Sequence, residues 1–149
     1  MAVHVLRQTR RQRLSLSRLK ETAQKILVYL GEHRSELSLL LVSNRKIKTL
    51  NHRFRNRNEP TDVLSFPLGE SLPTGERVLG DIVISLEKAQ QQAKQTGKRF
   101  EEEVTRLLIH GILHLLGYDH ERSQKDAKIM RNMEKKIWRA LCEGKALRV

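Results

Sequence analysis

The sequence predicts a single domain of the α/β or α+β class, and three observations carry that expectation. Segments with strand patterning alternate with segments of helical periodicity, and the last third is helical throughout. The 149 residues suffice to bury one core without disulfides or a structural metal. No internal repeat, low-complexity tract or linker-like stretch divides them, so residues 1–149 are expected to form one unit.

The elements follow in order. "VHVL" from Val3 is a short strand candidate. Ser15 or Ser17 can cap a helix running to about His33, with Leu19, Ala23, Ile26, Leu27 and Leu30 on one stripe. "LSLLLVS" from Leu37 has the apolar density of a buried strand. Ser43 or Asn44 can cap the next helix, in which Ile47, Leu50 and Phe54 recur at helical spacing. "NRNEPTD" is a loop, because Pro60 forces its predecessor out of helical geometry. "VLSFPL" from Val63 is a strand, "GESLPTGE" from Gly69 a turn-rich loop, and "VLGDIVIS" from Val78 a strand interrupted by Gly80-Asp81. Leu86 to Thr96 is helical and Gly97 ends it. A helix over about Phe100 to Leu116 begins with Glu101, Glu102 and Glu103, where negative charge complements the helix dipole. The final helix, Gln124 to Cys142, carries Ile129, Met133, Ile137, Trp138 and Leu141, with Trp138 expected in the core.

Composition narrows the function. Cys142 is the only cysteine, so no intrachain disulfide can form and a reducing compartment is expected. The N-terminal stretch has arginines where a signal peptide would have an apolar core. The longest apolar run, "LLLV", is far too short to span a membrane, so a cytoplasmic protein is expected. Lysine and arginine number 29 against 17 acidic residues, a net charge of +12. The excess is clustered: Arg7 to Lys20 and Arg45 to Arg57 each hold six basic residues and no acidic one. Such clusters attract polyanions, nucleic acid first among them; a surface made soluble by its cations is the alternative.

The chemistry concentrates in "HGILHLLGYDH", residues 110 to 120, which holds three of the six histidines. His110 and His114 stand four apart and share one helix face. Gly117 can adopt the left-handed conformation, end the helix and return the chain so that His120 meets the same ion. Three neutral imidazoles leave a fourth position open, the arrangement of a catalytic zinc rather than a structural one. Zinc is the default for an all-imidazole set, and other divalent transition metals fit it too. The spacing is that of metzincin proteases, but their general-base glutamate is replaced here by Gly111.

This motif, with "EPTDVLSFPL" and "LGDIVIS" in the same order, closely resembles the YbeY family of bacterial rRNA maturation factors, which are metal-dependent endoribonucleases. The resemblance covers roughly Leu37 to Trp138. It implies a compact sandwich around a small, mostly parallel sheet flanked by helices, with a zincin-like metal-bearing helix. It also implies zinc on His110, His114 and His120, an activity-critical arginine at Arg55, and a role in small-subunit (16S) rRNA 3′-end maturation and ribosome quality control.

Physical chemistry agrees. A guanidinium fork matches phosphate oxygens, so Arg55 is a candidate phosphate clamp, and phosphodiester cleavage needs charge and positioning above all. The expected enzyme is a single-strand-specific, zinc-dependent endoribonuclease with Arg55 and His114 catalytic. Its expected partners are ribosomal RNA and the small subunit, with ribosome-assembly proteins as further candidates. A ribosome-assembly factor with a mainly structural zinc and a metallopeptidase-like hydrolase are the other readings. The sequence leaves the general base open, as it does the choice between water and a ribose 2′-hydroxyl as attacking group. Among neighbouring polar residues, Asp119 either orients an imidazole or caps the turn, and Asp81 either reaches a ligand histidine or serves a bulge at Gly80. Thr61 and Asp62 are expected to fix their loop, and Ser65, Phe66 and Pro67 to line the cleft. His4, His33 and His52 are expected at the surface.

Overall fold

The computed structural model describes residues 2–143. Nine elements follow in chain order: β1 (Ala2–Arg7), α1 (Leu16–Tyr29), β2 (Ser35–Val42), α2 (Asn44–Arg55), β3 (Val63–Ser71), β4 (Arg77–Ser85), α3 (Leu86–Thr96), α4 (Phe100–Leu115) and α5 (Gln124–Glu143). Serine starts three of the helices. Ser15, Ser43 and Ser85 each accept a hydrogen bond from a backbone N–H of the first turn, that of Arg18, Lys46 and Lys88 respectively. Glycine and asparagine end two: Gly97 after α3 and Asn56 after α2 both sit in the left-handed region.

The strands form one sheet in the order β1-β2-β4-β3. Both β1–β2 and β2–β4 are parallel, while β3 pairs antiparallel with β4 at the edge. The sheet is therefore mostly parallel, and the fold is α+β. Side-chain alternation divides it into two faces. Leu37, Leu39, Leu41, Ile82 and Ile84 point into the main core with residues of α1, α3, α4 and α5. Val42, Leu64 and Val83 point the other way and meet Ile47 of α2 in a smaller cluster. Each such fully buried aliphatic side chain contributes about 1.5–3 kcal/mol.

Several expectations need correction. Helix α1 ends at Tyr29 rather than His33, because Gly31 turns left-handed there and leads straight into β2. Strand β3 runs through Gly69–Ser71, into the segment expected to be loop, and the hairpin closes where Leu72 N–H donates to the Glu76 carbonyl. Phe54 and Ile129 share helical stripes with core residues yet are exposed, since each lies beyond the edge of what its helix packs on. Trp138 is half-buried and only packs against the core margin. At Gly80 the register shifts and φ is 142°; a Cβ there would lie 2.2 Å from the Phe66 carbonyl oxygen.

Candidate metal centre and cleft

Helix α4 carries the histidines because one face of it is buried deeply against the sheet. Val104, Leu107, Leu108, Ile112 and Leu115 fix its rotation, which turns His110 and His114 to the helix margin, half-buried. Gly111 is the point of closest approach. A Cβ there would sit 2.9 Å from Cγ2 of Ile82 on β4, so the helix can lie this near the sheet only with glycine. The Gly111 carbonyl accepts a hydrogen bond from Ser65 Oγ at 3.2 Å, which ties α4 to β3. Gly111 thus faces the sheet core rather than the cleft.

The helix stops as expected. Gly117, at φ 97°, donates from its N–H to the His114 carbonyl, and Tyr118 N–H donates to the Leu113 carbonyl. The chain then doubles back and brings His120 to the other two. The three ring centroids are 4.6, 5.1 and 5.1 Å apart. One ligand nitrogen from each lies within 4.8 Å of the others, and these three residues can hold a metal ion. Tetrahedral zinc with Zn–N near 2.0–2.1 Å sets its nitrogens about 3.3 Å apart. Nε2 of His110 and Nε2 of His114 are already 3.1 Å apart, and His120, exposed at the cleft mouth, is the ring with room to move in.

Glu134 of α5 completes the centre. Its Oε2 accepts from His110 Nδ1 at 3.1 Å, which places the ring proton on Nδ1 and leaves the Nε2 lone pair directed at His114. Burial, reinforced by the neighbouring His110 and His120, holds His114 below the ordinary histidine range, so its ring is neutral and able to ligate. Asp119 does not orient an imidazole. Its Oδ1 accepts the Glu121 N–H at 2.8 Å and so caps the turn; that bond and nearby positive charge keep its carboxyl low.

His110, His114, Asp119 and His120 line a cleft of about 850 Å³. Arg55, at the end of α2, lines it together with Arg57, Arg106 and Arg122. Ser65, Phe66 and Pro67 form one wall, as expected of the β3 edge. Asp62 both fixes its loop, accepting from Val63 N–H at 2.8 Å, and reaches the cleft, as does Thr61. Phe54 stands at the lip, 58% exposed, edge-on to Phe66 at 5.4 Å with the Arg53 guanidinium 5.3 Å from its ring centre. Asp81 is exposed on the opposite face of the sheet, where strand alternation sends it, so it does not reach the histidines. His4, His33 and His52 are exposed and apart from the centre. Sequence reasoning does not single out Arg106, Arg122 or Glu134. Arg106 and Glu134 sit on faces of α4 and α5 and Arg122 in the turn between them, and only the packing of α5 on α4 brings Arg106 and Arg122 to the cleft and Glu134 to His110.

An α+β domain whose sheet-packed helix presents three histidines to an arginine-walled cleft defines a class of metal-capable catalytic domain. The comparisons with known proteins place the chain within that class. A family model described as Endoribonuclease YbeY matches residues 4–142, and the chain belongs to the YbeY family. The match extends well beyond the Leu37–Trp138 stretch that carries the sequence resemblance. Relatives named Endoribonuclease YbeY include that of Persephonella marina, 49% identical over 80% of this chain and 79% of its own length. That of Aquifex aeolicus is 42% identical over 87% and 86%, and that of Petrotoga mobilis 38% identical over 97% and 99%. The solution structure of TM1509 from Thermotoga maritima is similar at TM-score 0.65 and 34% identity, over 97% of this chain and 94% of that one.

Proposed function

We propose that this protein is a zinc-dependent endoribonuclease that cuts single-stranded segments of ribosomal RNA, in small-subunit (16S) 3′-end maturation and ribosome quality control. The observation that carries the reading is the placement of the three-histidine centre within a cleft that four arginines line. Family membership supports it, since the relatives are named endoribonucleases.

His110, His114 and His120 would hold the zinc. When bound, zinc supplies a Lewis acid with an open coordination position. Glu134 holds His110 in its ligating tautomer, and burial keeps His114 neutral. Arg55 grips the scissile phosphate; it is exposed in the cleft at the mouth of α2, where its fork can span two phosphate oxygens. Arg57 adds positive potential where negative charge develops in the transition state, whereas Arg106 is paired with Glu103 and Arg122 with Asp119 and Asp126. The exposed Phe54 ring at the lip offers a flat surface to an unstacked base, which suits single-stranded RNA. The whole domain, residues 1–149, is read as one catalytic unit acting in the cytoplasm on the small ribosomal subunit, with ribosome-assembly proteins as its neighbours. No helix among the described residues is long and apolar enough to cross a membrane.

Exposure of His120 at the cleft mouth argues against a mainly structural zinc, since such sites are closed by protein ligands. Gly111, turned toward Ile82, offers no general base to a peptidase. The test combines metal analysis of the purified protein with mapping of precursor rRNA 3′ ends in cells carrying wild-type or His114→Ala protein. One zinc per chain and unprocessed 3′ ends in the variant are expected. A metal-free protein, or ends matured normally by His114→Ala, would refute the reading.

A further inference from the structure

Helices α4 and α5 enclose a groove of about 690 Å³ that runs away from the histidines. On α5 its wall is the stripe Arg131, Lys135, Trp138, Arg139, residues spaced to share one helical face. On the other side stand Lys98 and Arg106. Two acids also line the groove, against five basic side chains. Glu134 accepts from His110, and Glu102 accepts from the Arg99 N–H at 3.3 Å. Arg106 is engaged by Glu103, whereas Lys98, Arg131, Lys135 and Arg139 form no salt bridge among the described residues. The chain's single tryptophan therefore lies half-buried among four cations that pair with no described residue. Arg106 and Glu134 adjoin both spaces: Arg106 lines the cleft and the groove, and Glu134 lines the groove while touching His110.

We infer that this α4–α5 groove is a second binding site for single-stranded RNA, continuous with the cleft, in which Trp138 stacks a base and Lys98, Arg131, Lys135 and Arg139 hold phosphates. It takes the part of the strand that leads away from the scissile bond. The inference rests on reading the cleft as an RNA-cleaving site. Cations alone would fit any polyanion or an acidic protein. An aromatic ring among cations, in a groove that shares Arg106 with the phosphate-binding cleft, favours a nucleic acid strand with splayed bases. From Arg131 to Arg139 the stripe runs about 12 Å along the helix, room for a short segment of strand.

The test uses the full chain with His114→Ala, so that RNA stays intact, and a fluorescently labelled single strand of about 12 nucleotides, within the usual range of single-strand sites. Saturating RNA is expected to quench the fluorescence of Trp138. Adding Arg131→Ala, Lys135→Ala and Arg139→Ala together is expected to weaken binding at least tenfold. The same change should reduce the slope of log affinity against log salt by about 2, from three lost contacts at ~0.7 each. Trp138→Leu should weaken binding about tenfold with the slope unchanged, as loss of one stacked base predicts. With the histidines intact, the triple variant should cleave an RNA of about four nucleotides at the parental rate and the longer strand more slowly. Unchanged affinity and slope in the triple variant, or unchanged Trp138 fluorescence at saturation, overturns the proposal and leaves an acidic protein as the groove's occupant. If groove variants lose binding while the intact-histidine protein cleaves no RNA, the groove stands and the nuclease reading falls.

Discussion

The Glu134 carboxylate lies 3.1 Å from Nδ1 of His110, a contact across 24 positions of sequence that joins α5 to the histidine-bearing helix. It fixes both the ring orientation and the tautomer. Losing it leaves the ring free to rotate and to place its proton on the ligating nitrogen. Glu134→Ala is therefore expected to lower zinc affinity 10- to 100-fold, with Glu134→Gln between it and wild type. Competition against a chromophoric chelator measures this directly. Equal affinity in all three proteins would mean that the contact does not support the centre.

Arg55 is exposed, so its removal should leave stability within about 0.5 kcal/mol. The phosphate-gripping role proposed for it predicts a large effect on catalysis alone. Arg55→Ala should lower single-turnover RNA cleavage by about 100- to 1000-fold at saturating protein. Arg55→Lys should recover only part, because an ammonium keeps the charge and loses the fork. Thermal denaturation run beside the kinetics separates the two effects.

The three-histidine cluster was legible because its logic is local. A four-residue spacing sets two rings on one face, and a glycine that can turn left-handed returns the third; Gly117 at φ 97° does this. Serine caps and alternating apolar residues likewise announce α1–α3 and β2 within a few residues of themselves. Glu134, Arg106 and the position of Trp138 were not legible, because each depends on how α5 docks on α4. Periodicity marked α5 as amphipathic but could not say how wide its covered face is. Only Met130, Ile137 and Leu141 of it are fully buried, and Trp138 falls at the margin. Asp81 was ambiguous for a related reason: the shift at Gly80 decides which face the next side chain takes, and that depends on β2 and β3 as well as β4.

Gly111 gains a structural role beyond lacking a carboxylate. Any side chain there meets Ile82, whose Cγ2 would be 2.9 Å from the new Cβ, at the tightest point between α4 and the sheet. Gly111→Ala is expected to destabilise the fold by about 1–3 kcal/mol through overpacking, despite the better helix propensity of alanine. Trimming the partner in Gly111→Ala/Ile82→Val should return part of that loss, a non-additivity that urea denaturation resolves. Gly111→Glu should unfold the domain or displace α4, and should confer no peptidase activity.

The acid limb of stability should report on Glu103. Glu103 is only 2% exposed, and Arg106 Nη2 and Gln92 Nε2 each donate to Oε2 at 2.6 Å. Burial is the largest influence and pushes this carboxyl up, but the bonds from Arg106 and Gln92 with the positive charge of Arg106 outweigh it, so the net direction is down. The sign follows from linkage: below the ordinary carboxylate value of 4.5 the unfolded chain takes up a proton that the folded chain resists. Stability is thus fully present above that value and is lost as pH falls through the lower folded one. Glu103→Gln should flatten this part of the acid limb. At neutral pH it should destabilise by about 1 kcal/mol, because Arg106 and Gln92 lose the charged acceptor that the buried Glu103 carboxylate provides. Denaturant titrations between about pH 2.5 and 7 compare the two proteins across this window. An acid limb identical in both would show that Glu103 does not carry the linkage.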